Sequence, residues 1–185
     1  MDIETPMTSE DQIHEQMCRL WQEAFGDNRE FVLAYFRGYD SPATRIVRCD
    51  ADGNVVAMMH YHRFMSGSIA GAYIYGVATH PAWRGKGLAS QMLQESFSRM
   101  TDDGVQVAML IAEEESLRSW YATMGFSLQN GTVVEITGSD GMNFALDDTT
   151  MNVPMIKPIG GCDITGFKID AAITIESVNK ADTRW

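Results

Sequence analysis

Cysteine is scarce in this chain of 185 residues: only Cys18, Cys49 and Cys162, widely spaced and with no CxxC pair. That pattern argues against a disulfide framework and against a cysteine-based zinc site, and leaves reduced thiols. Positive charge is also short, with 14 Lys and Arg against 25 Asp and Glu and a formal net charge of -11. Binding to a phosphate backbone relies on clustered cations, so no nucleic-acid partner is expected. No run approaches the roughly 18 apolar residues that a membrane span needs. The N-terminal MDIETPMTSEDQ is acidic and polar, unlike a secretory signal. A cytoplasmic protein with no membrane partner and no metal is the expectation. Repeats and low-complexity segments are missing too, whereas hydrophobic residues reach 45%. Such a chain can bury a core, and its length fits a single domain over residues 1–185.

Periodicity divides the chain. Over residues 8–25, Ile13, Met17, Leu20, Trp21 and Ala24 recur at helical spacing, behind a capping-box-like Thr8 and Asp11 and ahead of a stop at Gly26-Asp27. A second helix is expected over 29–39, with Phe31, Val32, Tyr35 and Phe36 on one side and Ser41-Pro42 ending it. TRIVRCD, VVAMMHYHRFM and SIAGAYIYGVAT then read as three strands of an antiparallel meander, separated by turns at 51–54 and 66–67. After Gly87 the helical period returns through Leu88, Ala89, Met92, Leu93, Phe97 and Met100, and VQVAMLIA follows as a continuous apolar strand. Strand, crossover helix and apolar strand make a βαβ unit with parallel neighbours. Ser116 is the expected cap of a helix carrying Leu117, Trp120, Tyr121 and Met124, with Gly125 as its stop. Beyond it, VVEIT, VPMIK and ITGFKIDAAITIE look like strands, with turns at 138–141 and 160–161.

The segment HPAWRGKGLAS, residues 80–90, places two glycines and two cations between a strand and a helix. Backbone N–H groups at a helix start are unpaired, and glycine lets an anion approach them closely. The segment is no P-loop, because Lys86-Gly87 is not followed by Ser or Thr. It is a poor dinucleotide fingerprint, because Ser90 stands where GxGxxG requires its third glycine. It does fit R/Q-x-x-G-x-G/A, as Arg84-Gly85-Lys86-Gly87-Leu88-Ala89.

With this motif, with SLRSWYATMGF (116–126) downstream and with YIYGVATHPAW before it, the sequence resembles the GCN5-related N-acetyltransferase (GNAT) superfamily. The resemblance spans about 8–137, and 73–126 is its specific part. It is strongest to a bacterial subgroup akin to the enhanced-intracellular-survival acetyltransferases, whose additional domains this chain is too short to hold. The implied fold is α/β: a mixed, mainly antiparallel sheet with a central parallel βαβ unit and helices on both faces. The implied activity is transfer of acetyl from acetyl-CoA, as co-substrate, to a primary amine by direct attack, without an acyl-enzyme. The acceptor would be a small-molecule or peptide amine, and the protein a monomer or homodimer. A non-catalytic acyl-CoA-binding or protein-interaction module on the same scaffold is the alternative.

The resemblance also implies site residues. The amides of Arg84, Gly85, Lys86, Gly87, Leu88, Ala89 and Ser90 would grip the pyrophosphate. Val77, Ala78 and Thr79 would lie along the coenzyme arm, and a backbone N–H near Gly76 to Ala78 would polarise the thioester carbonyl. Tyr121 matches the tyrosine that protonates the departing thiolate. The general base is open, because Tyr73 and Tyr75 stand where several relatives carry Glu or His. Three alternatives remain: His60 or His62, two apart on one strand; an acid among Glu113, Glu114 and Glu115, of which Glu114 stands where relatives often carry Asn; or a water chain. Residues 138–185 could complete the sheet, cover the acceptor cleft or form a dimer contact.

Overall fold

The computed structural model describes residues 10–144 and 152–178. Thr8 of the expected capping box lies outside them. Helix α1 spans Glu10–Phe25 and buries Met17, Leu20 and Trp21 of the expected stripe together with Cys18, while Ile13 and Ala24 are half-buried. Gly26, at φ +77°, ends it. Helix α2, Arg29–Tyr39, starts where the Asn28 side chain accepts the Phe31 N–H at 2.8 Å, and it buries Val32, Tyr35, Phe36 and Tyr39. The two helices lock through aromatic rings, with Trp21 centred 5.0 Å from Tyr35 and 5.9 Å from Phe36.

Strands β1 (Arg45–Cys49), β2 (Val55–Ser66) and β3 (Ile69–Thr79) follow as the meander predicts, then a 3-10 turn at Pro81–Trp83 and helix α3 at Leu88–Asp102. Strand β4 (Val107–Ile111), helix α4 (Glu115–Thr123) and the short strands β5 (Ser127–Leu128), β6 (Glu135–Gly138), β7 (Pro154–Pro158) and β8 (Ala172–Ile175) complete the order. Six strands form one sheet in the order β1-β2-β3-β4-β7-β5, with β3 and β4 as its parallel pair. The fold is therefore the mixed, mainly antiparallel α/β class that the sequence implies.

Several details differ from expectation. Glu114, not Ser116, is the N-cap of α4, and its side chain makes no capping hydrogen bond; the Ser116 hydroxyl instead donates to the Glu114 carboxylate at 3.2 Å. Of 164–176 only Ala172–Ile175 is strand, because the Gln129 side chain, rather than a strand backbone, takes the Ile169 N–H and donates to the Phe167 carbonyl. Strand β7 inserts between β4 and β5, pairing antiparallel with both, so part of 138–185 completes the sheet. Strands β6 and β8 form a separate parallel pair that nothing in the local sequence pattern announces.

The chain divides into two compact units. Among the described residues the first comprises 10–61, 75–96 and 178, and the second comprises 62–74, 97–144 and 152–177. The first centres on Trp21, Tyr35, Phe36 and His60, whose rings touch one another. The second centres on β4, whose Val107, Ala108 and Met109 are fully buried.

Candidate active site

In the first unit β3 runs into the 3-10 turn and then the glycine turn that opens α3. Gly85 and Gly87 adopt φ +75° and +78°, a left-handed geometry that a side chain resists. A Cβ on Gly85 would meet nothing within 4 Å, and one on Gly87 only the Gln91 amide at 3.9 Å, so the turn is open to solvent. The first amide that enters α3 is that of Gln91, which donates to the Gly87 carbonyl at 3.0 Å. Among the described residues, none of the amides from Gly85 to Ser90 has a protein hydrogen bond. Six successive donors at the positive end of a 15-residue helix make an anion cradle, and a pyrophosphate fits its chemistry.

The cations of the turn are engaged locally. Arg84 Nε donates to the Thr79 carbonyl at 3.0 Å, tying the turn to the end of β3, and Lys86 Nζ lies 4.1 Å from the centre of the Trp83 ring. Within β3, Val77 and Thr79 are half-buried and Ala78 is buried. Gly76 takes φ +62° inside the strand, a bulge-like kink, and a Cβ there would come within 2.4 Å of the Trp21 ring. The Trp21 indole N–H donates to Asp27 Oδ2 at 2.7 Å, and Tyr75 packs on the ring with centroids 5.3 Å apart. The sequence reading takes Asp27 only as part of a helix stop; a lone acid directly after the α1 glycine was the sole signal that it carried more.

His60 also belongs to this unit, and its side chain is wholly buried. Its Nε2 hydrogen-bonds Asp40 Oδ1 at 3.0 Å, while Asp40 Oδ2 receives Arg45 Nη1 at 2.6 Å and His14 Nε2 at 2.7 Å. Burial alone would raise the Asp40 carboxyl; hydrogen bonds from His14 and His60, with the charges of His60 and Arg45, outweigh it and hold the group well below the carboxylate range. Glu10, His14 and Asp40 bring three ligand-type atoms within 4.8 Å of one another. The Arg45 guanidinium already bridges Glu10 and Asp40, so the place a metal ion would take holds a fixed organic cation.

The second unit carries Tyr121, Glu114 and His62. Tyr121, on α4, packs its ring against Trp120 at 4.8 Å and Phe126 at 5.7 Å. Its backbone carbonyl receives the Phe126 N–H at 3.2 Å, beyond a Gly125 held at φ +90°. Its hydroxyl makes no hydrogen bond to a described residue, and burial pushes the phenol up to about 12. Glu114 is exposed at the start of α4, and the neighbouring Glu113 carbonyl accepts from Arg118 Nη2 at 3.1 Å. His62 is buried and lies 6.0 Å from the Phe144 ring. The structure thus gathers Val77 to Thr79, Arg84 to Ser90 and His60 in one unit, and His62, Glu114 and Tyr121 in the other. A surface hollow of about 450 Å³ in the second unit, lined by Arg63, Met65, Thr174 and Glu176 among others, contains none of these residues.

Comparison with known proteins agrees with this fold. A solved Escherichia coli protein, the GNAT family N-acetyltransferase YhbS in complex with CoA, superposes with a TM-score of 0.62 at 12% identity, over 88% of this chain and 83% of that one. An acetyltransferase from Corynebacterium glutamicum, described as histone acetyltransferase HPA2 and related, gives 0.62 at 19% identity, over 84% and 94%. Eis1 of Mycobacterium abscessus gives 0.52 at 14% identity, over 72% of this chain but 31% of that protein. Among curated proteins, none matches the chain in sequence. The pattern of the acetyltransferase (GNAT) domain matches residues 6–129, two thirds of the chain and the whole run from α1 through β5. The chain belongs to the GNAT acetyltransferases, a family that uses acetyl-CoA as co-substrate.

Proposed function

We propose that the protein transfers an acetyl group from acetyl-CoA to a primary amine, by direct attack of the amine in a ternary complex. The observation that carries this is the run of unpaired amides from Gly85 to Ser90 at the start of α3. They hold the pyrophosphate, with Val77 to Thr79 along the coenzyme arm. Acetyl-CoA supplies the activated thioester. A backbone N–H near Gly76 to Ala78 polarises its carbonyl, an effect commonly worth a few kcal/mol. The amine nitrogen forms the new C–N bond as the C–S bond breaks. Tyr121, kept neutral by burial at any physiological pH, gives its proton to the departing thiolate and recovers one from the amine through solvent.

Of the groups considered for the base, His60 is sealed against Asp40 and His62 is buried, so neither is open to an incoming amine. Glu114 is exposed and remains the acid we assign to amine binding or proton uptake. The likeness to the enhanced-intracellular-survival subgroup supports, at most, a common acetyltransferase portion. We take the whole chain as one acetyltransferase domain, acting in the cytoplasm on a small-molecule or peptide amine, as a monomer or homodimer.

The burial of both histidines favours one second reading, a module that binds acyl-CoA without turning it over. Thiol release from acetyl-CoA across a panel of amines, with Tyr121→Phe as control, separates the two. Turnover that falls in Tyr121→Phe supports the enzyme; tight coenzyme A binding with no turnover on any amine supports the module.

A further inference from the structure

Asp27 stands in the short link between α1 and α2, half-buried, with Oδ2 fixed by the Trp21 indole N–H at 2.7 Å. The far edge of the same ring lies on Gly76, where a built Cβ would approach Cζ3 to 2.4 Å and Cη2 to 2.8 Å. Trp21 is 1% exposed and wedged among Tyr35, Phe36 and Tyr75, so the ring has no room to swing. A rigid indole therefore fixes the Asp27 carboxylate on the opposite side of the ring from the kinked backbone at Gly76. Burial, and after it the Asp27 charge, holds the Tyr75 phenol above its ordinary range, so the carboxylate is within electrostatic reach of the strand side chain next to that kink. Asp27 Oδ1 makes no hydrogen bond to a described residue.

We propose that Asp27 binds a second cationic group of the acceptor, so that the substrate is a diamine or polycationic amine whose reacting nitrogen lies a few bonds from a fixed positive charge. The proposal rests on the reading above, in which amides near Gly76 to Ala78 meet the thioester carbonyl. A carboxylate fixed beside the reacting nitrogen favours its ammonium form, which must lose a proton before it can attack. A carboxylate on the opposite side of the indole recognises positive charge without that effect. Trp21 is then a positioning residue, acting through the oxygen it holds. The net charge of -11 draws dications to the protein, while Asp27 orients them.

The test compares putrescine with butylamine as acceptors for the wild type, Asp27→Asn and Asp27→Glu. Asn keeps an oxygen for the indole and removes only the charge. The wild type should favour putrescine in kcat/KM by about ten- to a hundredfold, the range of a hydrogen bond to a charged group. Asp27→Asn should lose that preference through the KM for putrescine, with butylamine kinetics and the acetyl-CoA-induced melting shift unchanged, and Asp27→Glu should restore part of it. Calorimetric titration of putrescine into protein saturated with coenzyme A should show the same loss without relying on turnover. An unchanged putrescine KM and affinity in Asp27→Asn, or no putrescine binding by the wild type, would overturn the assignment. Failure of acetyl-CoA to bind at all would instead overturn the reading of the glycine turn.

Discussion

The glycine turn of Arg84 to Ser90 and the polar knot around Asp40 lie in the same unit and use hydrogen bonds in opposite ways. The turn is exposed and leaves its amides unpaired. The knot is buried, and both Asp40 oxygens are filled by Arg45, His14 and His60. Unused capacity at the surface is what a ligand can take up, whereas consumed capacity in the interior holds a fold. By that criterion His60, which looks like a base in the sequence, is a structural group, and the glycines, which carry no functional side chain, are the functional ones.

The knot should break hardest. Asp40→Ala removes the shared buried acceptor of Arg45, His14 and His60 and leaves Arg45 its Glu10 contact, and removing one partner of a buried pair costs about 3–5 kcal/mol. For a chain of this size that lowers the melting midpoint by roughly 6–20 °C. The folded Asp40 carboxyl sits below its unfolded value, so its contribution is full above the unfolded pKa of about 3.9 and is lost as pH falls toward the folded value. The difference in stability between wild type and Asp40→Asn should therefore shrink on acidifying below about pH 4. A difference that grows in acid would reverse the assignment.

Tyr121→Phe should lower kcat by about a hundredfold or more while leaving coenzyme affinity intact, because general acid catalysis is typically worth that factor. Equal kcat in the two proteins would make the phenol a packing group alone. Gly87→Ala forces a side chain into φ +78°, a strain of about 1–2 kcal/mol that disturbs the turn holding the amides. Its acetyl-CoA dissociation constant should rise about tenfold, and the strain should lower the unliganded melting midpoint by about 2–8 °C. Lys86→Ala should matter least, below about 1 kcal/mol, since an exposed cation over Trp83 contributes about that much. If Lys86→Ala weakens coenzyme binding more than Gly87→Ala does, side-chain charge and not the backbone carries the site.

What could be read in advance follows the same divide. Helices α1 to α4 and strands β1 to β4 are legible because apolar spacing is a local property, and the turn is legible because its chemistry lies within seven consecutive residues. The Asp40 knot draws on positions 10, 14, 40, 45 and 60, none of which marks the others in sequence. Strand β7 enters between β4 and β5 through pairings that run Val107 to Pro158 and Ile111 to Pro154, contacts set by tertiary packing rather than by period. Asp27 acquires its interest only once Trp21 is seen to join it to Gly76. Likewise the Ser116 cap fails because Glu114, two residues earlier, is the one that leaves the helical conformation.

The central claim, that the exposed amides of the turn hold the pyrophosphate of acetyl-CoA, is tested most directly by the melting midpoint with no ligand, acetyl-CoA, coenzyme A or NAD, in wild type and Gly87→Ala. Ligand at about 100 times its dissociation constant adds roughly 2.7 kcal/mol, or several degrees for a protein of this size. The account predicts that rise with acetyl-CoA and with coenzyme A, none with NAD, and a smaller rise in Gly87→Ala at the same ligand concentration. A rise with NAD alone, or none with any ligand, would contradict it.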